Sequence, residues 1–154
     1  MTEQQDVGIQ FKAQYVKDLS FEAPNLPQIL ENLTQPPKID VNIGVAAHKT
    51  KDDNVFEVIL NMKAHAINAD DKKTVFLCEL AYAAVVEIHV PDDMQQPILL
   101  IEVPHLLFPF ARALVANMTR EAGFPALQIA PVDFASLYRQ KAEAQQEKGR
   151  KTDD

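Results

Sequence analysis

The chain of 154 residues is 47% hydrophobic and carries a formal net charge of −7, an acidic balance without the basic clusters that grip nucleic acid or an anionic membrane. Its one cysteine, Cys78, excludes an internal disulfide and fits a reducing cytoplasm, and four glycines, at positions 8, 44, 123 and 149, are too scattered to build a phosphate-cradling loop. No charged-then-apolar leader opens the chain and no apolar run is long enough to span a bilayer, so a cytoplasmic protein without membrane insertion is expected.

The length suits a single domain over 1–154, ordered from about 9 to 140, with polar and flexible ends at 1–8 and 141–154. Ile9, Phe11, Ala13 and Tyr15 alternate with Gln10, Lys12 and Gln14, which predicts a half-buried first strand. It stays extended toward Pro24, with Asp18, Ser20 and Glu22 on one face and Leu19 and Phe21 on the other. Four prolines, at 24, 27, 36 and 37, bracket a loop with room for one helical turn. Ile39, Val41, Ile43 and Val45 alternate with Asp40, Asn42 and Gly44 as a second strand. A polar connection at 48–54 leads to a third strand at 55–67, with Phe56, Val58, Leu60 and Met62 on one face. A polar turn at 68–73 leads to a fourth, at 74–90. There Phe76, Cys78, Leu80 and Tyr82 share one face and Val75, Leu77, Glu79 and Ala81 the other, and both faces are apolar enough to be partly covered.

Residues 91–97 read as a loop and 98–103 as an extended lead into a long helix that begins at Pro104. In that helix Leu106, Phe110, Leu114 and Met118 recur at i+4, one step round from Leu107, Ala111 and Val115. Gly123 supplies a left-handed stop and Pro125 prevents continuation. Asp133 caps a second, short helix from Phe134, since no large apolar residue follows Arg139. The order β-β-β-β-α-α predicts an α+β fold, a four-stranded antiparallel meander with one long and one short helix packed on one face. The helix's apolar face is wider than one small sheet needs. That points to a subunit interface at Phe110, Leu114 and Met118, with Cys78, Leu80 and Tyr82 from the two-sided fourth strand.

Catalytic chemistry has little to build on. His48, His65, His89 and His105 form no HExxH pair and lie at no metal-binding spacing from cysteine. Neither serine, Ser20 or Ser136, stands in a GxSxG elbow, and the pairs Asp52–Asp53, Asp70–Asp71 and Asp92–Asp93 all fall in turns. No catalytic residue, metal ligand or cofactor site is expected; an excess of apolar surface without a reactive set is the pattern of a binding protein.

Four blocks then carry a resemblance: YVKDLSFEAPN (15–25), VFLCEL (75–80), LLFPFAR (106–112) and GFPALQIAPVDFASLY (123–138). In order and spacing they resemble the bacterial protein-export chaperone family SecB, from about Phe11 to Tyr138. The resemblance implies a dimer of dimers, a homotetramer with the long helices sandwiched between sheets. It also implies a cytoplasmic chaperone that holds secretory precursors unfolded and delivers them to the translocation ATPase SecA, without nucleotide or metal of its own. By position, the SecA contacts fall on Asp18, Glu22, Leu77 and Glu79. The client groove falls on Ile39, Val41 and Ile43, with Phe11, Tyr15 and Phe108 as candidate aromatic walls. The sequence departs from some members in having no tryptophan and in placing Ala83 and Ala84 where they have glycines. A SecB-like chaperone dedicated to one client, such as an antitoxin, is the alternative, and the acidic patch argues against it.

Overall fold

A computed structural model of the chain describes residues 8–151. Four strands, β1 (Gln10–Glu22), β2 (Lys38–Lys49), β3 (Val55–Ile67) and β4 (Thr74–Glu87), form one antiparallel sheet in the order β1-β4-β3-β2. The expected meander holds for β2, β3 and β4 alone. The proline-rich stretch 23–37, which contains the single turn α1 (Ile29–Asn32), carries the chain across the end of the sheet, so β1 and β2 become opposite edges. Period-two alternation appears directly as burial: Val58, Leu60, Met62 and Ala64 on β3, and Cys78, Leu80, Ala84 and Val86 on β4, all lie on the side covered by helices.

Strand β1 does not alternate as expected. Its register against β4 shifts between Phe11 and Ala13 and again between Val16 and Asp18, making Lys12 and Lys17 extra residues. Each bulge inverts the facing of the residues beyond it. Phe11 therefore lies opposite buried Val86 on the helix side, whereas Tyr15 lies opposite Ala83 on the outer side. A third irregularity, between Ala66 and Ile67, leaves Val75 without a partner on β3, and Val75 is buried instead of sharing the outer face with Leu77.

Residues 92–103 are helical, contrary to expectation. Helix α2 (Asp92–Pro97), a π-helical turn (Ile98–Glu102) and α3 (Val103–Glu121) run as one continuous helix. Asp92 and Asp93 sit in its first turn, where the helix dipole favours negative charge. Pro104 lies inside that helix: it has no N–H to offer the Leu100 carbonyl, and in a regular α-helix its ring would collide with that group. The wider π turn just before it, closed by the Val103 N–H on the Ile98 carbonyl, makes room. The joined helix is long and apolar enough to cross a membrane by length and composition, which corrects the expectation drawn from the sequence. Here it is the core helix of the domain. Its buried row is Val103, Leu107, Ala111, Val115 and Thr119, while Leu106 and Phe110 face away, 45% and 51% exposed.

The stop after α3 is as expected. Gly123 has φ 97°, the Phe124 N–H bonds the Thr119 carbonyl at 3.1 Å and the Gly123 N–H bonds the Arg120 carbonyl at 3.1 Å, together a Schellman closure. Asp133 caps α4 (Phe134–Lys151), accepting from the Ser136 N–H at 3.1 Å and the Ser136 hydroxyl at 2.9 Å. These bonds hold the Asp133 carboxyl below its ordinary pKa. The helix is not short. Residues 141–151 continue it where a flexible tail was expected, because Ala, Gln, Glu and Lys propagate a helix without burying a face. Of the flexible ends expected at 1–8 and 141–154, residues 1–7 and 152–154 lie outside the described residues.

Candidate functional site

Two surfaces stand out, on opposite faces of the sheet. The first follows edge strand β2. Ile39, Val41 and Ile43 pair with Ala66, Ala64 and Met62 across β3, which puts them on the helix side. Yet no helix covers them fully: Ile39 is 36% and Val41 38% exposed, and Ile43 is half-buried. Ile39 lines a cavity of about 540 Å³ between the 33–37 segment and the loop after α3. Ile43 lines a second, of about 380 Å³, between β2, the π turn and α4. Val41 stands between them. The Val45 carbonyl points off the sheet edge, where it accepts from Lys141 Nζ at 3.4 Å. In an antiparallel ladder this outward direction recurs at every second residue, so Ile39, Val41 and Ile43 also present open backbone. Apolar side chains and unused hydrogen-bonding groups thus run along one edge.

The walls come from residues the sequence reading did not place there. Phe76 stacks on Phe21 (centroids 5.4 Å) and touches Phe124 (5.3 Å), and Phe76 and Phe124 line the larger cavity with Leu33 and Leu127. Leu100 and Leu137 line the smaller one. The loop bearing Phe124 and Leu127 is held by buried Thr119, whose hydroxyl donates to the Val115 and Ala116 carbonyls and accepts the Leu127 N–H at 2.9 Å. The apolar letters in Gly-Phe-Pro-Ala-Leu were a legible signal, but their meeting with Leu33 depends on the crossover. The proposed aromatic walls are corrected. Phe11 sits on the far edge strand, three strand spacings or about 14 Å away. Tyr15 is on the opposite face, and Phe108 is core, 8% exposed and packed edge-on against Phe134.

The second surface is the outer face. Glu22 lies opposite Leu77, Ser20 opposite Glu79 and Asp18 opposite Ala81, so the register brings Asp18, Glu22, Leu77 and Glu79 onto one patch. Among the described residues no ion pair or hydrogen bond engages the Asp18, Glu22 or Glu79 carboxylates. Farther along the face the charges are paired. Both bulge residues turn their ammonium groups onto acids, Lys17 on Glu57 at 2.7 Å and Lys12 on Glu87 at 3.7 Å, and the Tyr15 hydroxyl donates to Glu57. The hydrogen bonds from Lys17 and Tyr15 hold Glu57 below the usual carboxylate range. Burial, then the bond to Glu57 and its charge, push Tyr15 up to about 12. The unpaired carboxylates are therefore confined to one end of the sheet.

Of the expected interface residues, Phe110 is exposed and Leu114 and Met118 are half-buried. Phe110 stacks on Tyr82 (6.4 Å, 23°) above a cavity of about 580 Å³ that Val16 and Leu114 also line. Cys78 and Leu80 belong elsewhere: they are 1% and 3% exposed under the helix of their own chain and have no surface left for another. Burial, then the charge of Glu79, push the Cys78 thiol up, which keeps it unreactive. Among the described residues no cluster of His, Cys, Asp or Glu could hold a metal ion.

A family model for preprotein translocase subunit SecB matches residues 2–145. The protein-export protein SecB of a Bradyrhizobium species is 49% identical over 134 residues, 86% of this chain and 81% of that one. Its counterpart in Granulibacter bethesdensis is 43% identical over 141 residues, 87% of this chain and 82% of that one. Among solved structures, a SecB-like chaperone of Mycobacterium tuberculosis, in complex with a peptide from an antitoxin, superposes with a TM-score of 0.65 at 15% identity, covering 80% of this chain and 90% of that one. That likeness speaks for the fold.

Proposed function

Because the chain belongs to the SecB family, whose members are export chaperones and not enzymes, we propose that it holds secretory precursors unfolded along the β2 groove in the cytoplasm. It then passes them to SecA through the acidic outer face. One observation carries the groove: an apolar stripe with a cavity at each end, on a strand edge whose outward backbone groups at Ile39, Val41 and Ile43 are open. Side chains two apart along an extended client meet Ile39, Val41 and Ile43 in turn, and main-chain bonds to the edge need no particular sequence. Burial of apolar area supplies affinity and the open backbone supplies breadth.

The outer patch supports the second half. Three carboxylates around Leu77, without ion-pair or hydrogen-bond partners among the described residues, suit a basic partner segment with an apolar residue at its centre. This favours delivery to a translocation ATPase over a chaperone dedicated to a single client, which has no use for such a patch. The exposed Val16, Leu19, Leu106 and Phe110 form the surface that a second copy covers in a homotetramer.

Titrating the protein with purified SecA and with an unfolded precursor tests both halves, and binding of both is expected. Precursor binding without SecA binding would support the dedicated chaperone, and binding of neither would overturn the proposal.

A further inference from the structure

We infer that Lys141 is a latch on the β2 edge, a side chain that sets how readily an extended polypeptide enters by occupying that edge while the groove is empty. This rests on the groove reading above. Besides the cavity at Ile43, a third, of about 310 Å³ and more polar, continues along β2 past Ala46 to Gln96 and Gln145. Val45, Leu100, Tyr138 and Lys141 line both cavities, so Lys141 stands at the waist between them. There its ammonium reaches from α4 to the Val45 carbonyl at 3.4 Å. Helix α4 otherwise packs chiefly on the π turn, so this bond bridges an opening between helix and strand.

A strand added to β2 needs the outward carbonyl of Val45 for one of its own N–H groups. The carbonyl oxygen can accept a second bond, but the Lys141 side chain lies off the edge where the added strand must run, so the two compete for the same space. Client binding therefore exchanges one donor for another and returns the ammonium to water, which a flexible, exposed four-carbon stem allows without loss of a proton. The same contact explains how so open an edge avoids pairing with other chains, since a lysine laid on an edge strand blunts it. The empty edge is guarded and the occupied edge has its full ladder.

The test uses Lys141→Met, which keeps the stem and removes the donor, and Lys141→Arg, which keeps a donor. Association and dissociation rates are measured by stopped-flow fluorescence against labelled α-lactalbumin, reduced and carboxymethylated so that it stays unfolded. Lys141→Met is expected to associate about fivefold faster, the value of one modest hydrogen bond, with dissociation unchanged. Lys141→Arg is expected to stay near the parent protein. An unchanged or slower association in Lys141→Met would overturn the latch. Ile43→Asp, checked for a native melting curve, separates that failure from failure of the groove. If it abolishes binding while Lys141→Met behaves as the parent, only the latch falls; if it binds normally, both do.

Discussion

Val41→Asp probes the groove with little harm to the empty protein. Val41 lies on an edge strand, 38% exposed, between the two cavities, so a carboxylate there stays hydrated until a client covers it. Full burial of a valine is worth about 1.5–3 kcal/mol, and the exposed third leaves about 0.5–1 kcal/mol for a client to gain. The substitution forfeits that gain and adds the desolvation of an unpartnered carboxylate, moderated by the edge to about 1.5–2 kcal/mol. Together these come to about 2–3 kcal/mol, or roughly thirty- to a hundredfold in Kd. The assay is anisotropy titration of a labelled, permanently unfolded polypeptide, with circular dichroism melting alongside. A native melting curve with a Kd within twofold of the parent would show that the stripe is not where chains bind.

Asp18→Lys combined with Glu79→Lys should weaken SecA binding tenfold or more by calorimetry, about 1.4 kcal/mol, with precursor holding unchanged. Parent affinity for SecA should also fall with salt, because surface charges are screened beyond about 8–10 Å. Phe110→Glu puts a charge on the exposed apolar face of α3 and should lower the native mass by light scattering; an unchanged mass would remove that face from the assembly. Because the Glu57 pKa is depressed, its stabilisation is complete above the ordinary glutamate pKa of 4.5 and is lost as pH falls below it. Glu57→Gln should therefore flatten the acid limb of a melting-temperature profile; an unchanged limb would count against the Tyr15–Glu57–Lys17 cluster. Gly123→Ala forces a side chain into left-handed backbone where nothing else crowds it, so chemical denaturation should show a loss of about 1–2 kcal/mol.

Local patterns were legible wherever a residue's role depends on its neighbours in sequence. Alternation marked β2, β3 and β4, Gly123 before Phe124-Pro125 marked the end of α3, and Asp133 marked the start of α4. Asp18, Glu22, Leu77 and Glu79 were assigned to one face by strand parity and family resemblance, and the register agrees. This worked because the stretch from Asp18 to Glu22 lies beyond the second bulge and pairs without interruption. Parity failed at Phe11 and Tyr15, since a bulge adds a residue without leaving a mark in the hydrophobic pattern.

What the tertiary structure alone decided is which apolar groups meet. The period of α3 is equally strong on two adjacent rows, and only docking on the sheet selects Leu107–Ala111–Val115 for the core and leaves Phe110 outside. Helix formation across 92–103 depends on a π turn before Pro104, a backbone adjustment that no residue pattern announces. The groove is the clearest case. Leu33, Phe76 and Phe124 line one wall because the 23–37 crossover places β1 and β2 on opposite edges, and the order of strands is set by that long-range packing, not by any local preference.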